Sequence, residues 1–150
     1  MSTFASIRPD SWNFPLLVHV LGAMILVGTT ITFVVAELAA ARTPQPERMR
    51  RFAFRTLLFV GLPALIIMRV GAEWLYSKEF DGASGDDPSW IGIGYGVSDL
   101  GGLLFLISLV LAGLASRKAR SGLGRAAGVT AAICLVGWVV AVWAMGAKPS

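Results

Sequence analysis

Four long apolar runs dominate this chain, and each is long enough to cross a bilayer as a helix. Asn13–Ala36 has His19 as its one ionisable side chain, and Arg55–Tyr76 carries Pro63 in its middle with Arg69 and Glu73 toward its end. Trp90–Ala115 holds Asp99 as its only charge, and Ala126–Ala147 holds none. At a rise of about 1.5 Å per residue, every run covers the roughly 30 Å of hydrocarbon. The predicted fold is therefore all-α: a polytopic membrane protein forming one antiparallel four-transmembrane-helix bundle across 1–150. Its helices are expected near 13–40, 52–77, 90–116 and 124–147, with a kink at Pro63 that membrane helices tolerate.

Composition agrees. The chain has 150 residues, 55% of them hydrophobic, and a mean hydropathy of +0.70, more apolar surface than one small soluble core can hide. The opening MSTFASIRPDSWNFP has no basic segment leading into a short apolar stretch with a cleavage site, so the first run reads as a retained helix. A lone cysteine, Cys134, cannot build a disulfide framework or a cysteine metal site within one chain.

The net charge of +4 does not point to nucleic acid, because the basic residues are confined to short connections between apolar runs. Of thirteen Lys and Arg residues, nine lie at two places: Arg42, Arg48, Arg50, Arg51 and Arg55, then Arg117, Lys118, Arg120 and Arg125. Those two loops are expected in the cytoplasm. The middle loop, Ser77–Ser89, sets Lys78 against Glu79, Asp81, Asp86 and Asp87 and belongs outside, giving N-out and C-out termini. Trp12, Trp74, Trp90, Trp138 and Trp143 all fall in the outward halves of the runs or just beyond them, as an interfacial belt does.

Ionisable residues within spans are costly and usually turn toward a partner. His19 and Glu73 lie about 6 and 5 Å deep, and Arg69 and Asp99 about 10 and 13 Å, all in the outer half. Arg69 and Glu73, four apart, share a helix face, and Asp99 offers the guanidinium a second carboxylate. Gly92 and Gly96 lie on the Asp99 face, so that face is expected to pack inward; Gly124 and Gly128 form a similar pair. His19 continues into a stripe of Ala23, Leu26, Thr30, Phe33 and Glu37, the last expected to be neutralised by Arg42 or Arg51. The alternatives are plainer: a local Arg69–Glu73 ion pair snorkelling to headgroups, and His19 as a hydrogen-bonded packing residue.

HVLGAMILVG in the first run, the RRFAF that ends the first loop, a mid-helix proline followed by Gly and Trp-Leu, and Trp-Ile-Gly opening the third run form a recognisable pattern. It resembles a family of uncharacterised bacterial four-helix membrane proteins with a domain of unknown function, which implies the bacterial inner (cytoplasmic) membrane. The layout is also similar to the membrane-bound protoporphyrinogen oxidases, whose helix-one histidine is associated with haem; His19 occupies that place. That family has a lysine after Trp-Leu in helix three, where Trp90-Ile91-Gly92 has glycine, which argues against carrying over the activity.

Three roles follow as expectations. The first is an accessory or assembly subunit, bound through glycine-rich faces to a larger membrane complex or to a second copy. The second is a redox protein in which His19 ligates the iron of haem b, Arg69 pairs with a propionate, Trp74, Trp90 and Trp138 form the walls, and Met24, Met68 or Met145 supplies a second ligand. The third is proton-coupled transport by an oligomer through His19, Asp99, Glu73 and Glu37. The outer aromatic residues also suit recognition of a lipid or small molecule. No nucleophile constellation, phosphate loop or HExxH motif is present.

Overall fold

The computed structural model describes residues 10–80, 89–118 and 121–147, and helix accounts for nearly all of them. A short 3₁₀ turn, Asp10–Trp12, leads into α1 (Asn13–Ala40). After a tight connection, α2 (Pro46–Thr56) passes through a π turn at Leu57–Gly61 into α3 (Leu62–Phe80); α4 (Ser89–Lys118) and α5 (Ser121–Ala147) complete the bundle. The acidic loop expected over Ser77–Ser89 is shortened by helix at both ends, and its centre lies outside the described residues.

All four spans are long and apolar enough to cross a membrane: Asp10–Ala40, Pro46–Lys78, Ser89–Arg117 and Gly122–Ala147. Large apolar side chains crowd the perimeter of every helix, with Phe59, Val139 and Val142 each 70% exposed. Helices apolar on all sides belong in hydrocarbon, and the chain is a multi-pass membrane protein.

The second span begins earlier than its apolar run predicts. Pro46 starts it at a position whose N–H has no helical partner in any case, Glu47 sits in the first turn and Arg55 in the last, all favourable to a helix. Three arginines expected ahead of that helix, Arg48, Arg50 and Arg51, are therefore on α2 together with Arg55. The irregularity predicted at Pro63 appears just before it as the π turn, where the Leu62 N–H donates to the Leu57 carbonyl. Proline offers no N–H to the Phe59 carbonyl and its ring crowds that oxygen, and a wider turn relieves both problems.

The closest helix pairs are α4 with α5 and α1 with α3; α1–α5 and α2–α4 contacts close the ring, while α3 and α4 stand apart. Glycines set the α1–α3 approach. A Cβ on Gly22 would fall 2.6 Å from the Met68 amide nitrogen, and one on Gly71 would fall 2.5 Å from that of His19. Further along, Gly61 faces the Thr29 methyl and the Phe105 ring. Backbones this close gain the dispersion contacts that hold helices together where hydrophobic burial no longer discriminates. Between α4 and α5, Gly101 accommodates Trp138, and the Cys134 thiol donates to the Gly101 carbonyl at 3.0 Å. Trp138 is thus 6% exposed and packed beside Phe105, a core residue and not part of the belt expected for it.

Candidate functional site

Two sites of intramembrane charge emerge, at opposite ends of the bundle. At the end where α3 stops and α4 starts, Arg69 Nη1 meets Asp99 Oδ1 at 2.7 Å and Arg69 Nε meets Glu73 Oε1 at 3.3 Å. The guanidinium also lies over the Tyr95 ring, 5.0 Å from its centroid, a cation–π contact. Helix geometry builds the cluster: Arg69 and Glu73 are one turn apart on α3, and Tyr95 and Asp99 one turn apart on α4.

Its position corrects the sequence reading. Asp99 points outward, not into the bundle; side-chain exposure is 59% for Asp99, 53% for Glu73 and 39% for Arg69. Gly92 and Gly96 likewise face open space, with no packing partner among the described residues. With Leu103, Leu106 and Val110 they form an exposed stripe, Gly92, Gly96, Asp99, Leu103, Leu106 and Val110, at the alternating four-three spacing of a helix-packing seam. The stripe borders a groove of about 500 Å³ between α3 and α4, lined by Leu65, Ile66, Arg69, Gly102 and their neighbours.

His19 does not join this cluster. Its Nδ1 donates to the Met68 carbonyl at 3.0 Å; a carbonyl only accepts, so Nδ1 carries a proton and Nε2 is the nitrogen left for any other partner. A histidine anchored in this way is suited to ligation. The space beside it is not suited to haem. Two cavities border His19, of about 80 and 70 Å³, with Met145 lining both, Trp90 in one and Trp138 in the other. Pockets that enclose organic ligands measure about 300–1,000 Å³. Arg69 lines neither cavity, Met24 is 68% exposed, and Trp74 packs edge-on against Phe14 at 5.6 Å. The residues expected to hold a porphyrin therefore do not surround one volume. No three His, Cys, Asp or Glu side chains converge on a metal position among the described residues.

At the basic end of the bundle lies a pair that sequence reasoning misassigned. Glu37 accepts from Arg50 Nε at 3.4 Å, with side-chain exposures of 4% and 7%; the expected partners were Arg42 or Arg51. Gly124 and Gly128 do pack as expected, and their neighbour is this pair: a Cβ on Gly124 would sit 2.6 Å from Glu37 Oε2. Between the two charged sites, Leu26, Phe33, Leu57 and Phe105 are at most 1% exposed and fill the middle of the bundle. Thr30, on the same stripe, donates to the Leu26 carbonyl of its own helix.

Compared with known proteins, the chain matches no family model, no curated protein and no solved structure. The resemblance to the two bacterial families rests on the sequence motifs alone.

Proposed function

We propose that the protein is an accessory or assembly subunit of a membrane complex, and that it receives one transmembrane helix of its partner along the α3–α4 groove. The observation that carries this reading is the outward-facing Arg69–Asp99–Glu73 cluster beside the open Gly92–Gly96 stripe. An ionised side chain left in hydrocarbon costs at least about 2.5 kcal/mol, which favours a covering helix. Small residues allow that helix close approach, and the alternating spacing gives it a register. The cluster carries net negative charge, so the partner it fits is a helix with a lysine or arginine at matching depth. The placement of basic and acidic residues favours N-out, C-out insertion in a bacterial cytoplasmic membrane, with the groove in the outer leaflet.

A photo-reactive amino acid at position 96 in living cells tests the proposal. The expected product is a crosslink to a transmembrane segment of another protein bearing a basic residue, reduced several-fold by Asp99→Asn. A crosslink only to a second copy of this chain, or only to lipid, would overturn it.

A further inference from the structure

The Glu37–Arg50 pair opens onto a cavity of about 440 Å³ that the docking face does not touch. We propose that this cavity binds the headgroup of an anionic glycerophospholipid whose phosphodiester is followed by hydroxyl groups, as in phosphatidylglycerol.

Three observations converge on that chemistry. Glu37 Oε1 is buried and lacks a hydrogen-bond partner, although Oε2 is held by Arg50. A buried carboxylate oxygen of this kind calls for a donor, and Glu37 lines the cavity. Arg50 and Arg125 line it too, so among the described residues the polar wall carries one net positive charge and suits an anion. Gly122, in the first turn of α5, forms the mouth with nothing within 4 Å of its Cβ position. An anion at that mouth lies beside the positive end of the α5 helix dipole.

The remaining walls separate a lipid from a soluble phosphate. Val34, Val129 and Ala132 line the cavity, and Leu38 and Val129, 58% and 55% exposed, carry it onto the apolar perimeter. One end is thus wet and basic and the other continues along the surface an acyl chain would cover. A phosphodiester seated beside Arg125 would bring its following hydroxyls to the wall that Glu37 forms, where a small turn of the carboxylate lets Oε1 accept from them. Phosphatidylcholine offers the same phosphate but a quaternary ammonium with no proton to donate and no net charge, so it lacks both features that the Arg125 and Glu37 walls are proposed to read.

The test is native mass spectrometry of the full chain in neutral detergent, titrated with dioleoyl phosphatidylglycerol, dioleoyl phosphatidylcholine or inorganic phosphate. Phosphatidylglycerol is expected to bind at least about tenfold more tightly than phosphatidylcholine, and Arg125→Gln to remove about tenfold of that affinity. Gly122→Leu, at a position with room for the side chain, is expected to close the mouth and abolish the preference. Equal binding of the two lipids by the wild type would overturn the proposal, as would unchanged binding in both variants. Displacement of the lipid by millimolar phosphate would overturn the assignment to lipid.

Discussion

Gly71 and His19 meet backbone to backbone, leaving 2.5 Å between the place where a Gly71 Cβ would stand and the His19 amide nitrogen. No side-chain rotation relieves a clash with main chain. Gly71→Ala is therefore expected to force α1 and α3 apart and to cost about 1–3 kcal/mol, measured by denaturant titration in mixed micelles. Gly28→Ala, on the same helix as His19 but facing open space, is the control, and its stability should change by no more than about 1 kcal/mol. Equal effects at both positions would contradict the close approach.

Removing one partner of the Glu37–Arg50 pair leaves an uncompensated charge in a buried position. Arg50→Met is expected to destabilise the protein by about 3–5 kcal/mol, while the double variant Glu37→Met with Arg50→Met recovers most of that loss. The same unfolding titration measures the recovery, and additive losses in the double variant would show that the two groups do not depend on each other.

Trp138 separates size from hydrogen bonding. Its indole Nε1 is buried without a partner against Gly101, so Trp138→Phe discards an unsatisfied donor and should cost less than about 1.5 kcal/mol. Trp138→Ala leaves a void beside Phe105 and should cost about 3–5 kcal/mol.

The cavities beside His19 lead to a spectroscopic expectation. Protein purified in mild detergent from a haem-replete host should lack a Soret band, since spaces of about 80 and 70 Å³ do not admit a porphyrin. A band that shifts with dithionite and disappears in His19→Ala would instead mean that α1, α3 and α5 separate around the ring.

The four spans were legible because length and apolarity alone demand them. α2 was less so: its face is polar, and the signal that announces it, Pro46 followed by Glu47, lies ahead of the apolar run. Glu37 and Arg50 are thirteen positions apart across a turn, and nothing in their spacing selects Arg50 over Arg42 or Arg51. Asp99 exposes a different limit. Glycine spacing on α4 suggests a packing face, but spacing carries no information on which way that face turns, and Gly92 and Gly96 turn to open space. The Arg69 contacts to Glu73 and Asp99 were readable from depth and spacing, whereas the divergence of His19 from them depends on how α1 is rotated against Gly71.

The wide turn at Leu57–Gly61 makes the second span two helices out of phase with each other. An added residue in a helix shifts the face of everything beyond it by about 100°, so the π turn sets the angle between the α2 face that carries Arg50 to Glu37 and the α3 face that brings Met68 to Gly22. Deleting a single residue within 57–61 would take out that extra residue and leave a plain α-helix whose two halves keep their present faces, whereas a deletion elsewhere in the span would spin one half against the other by about 100°.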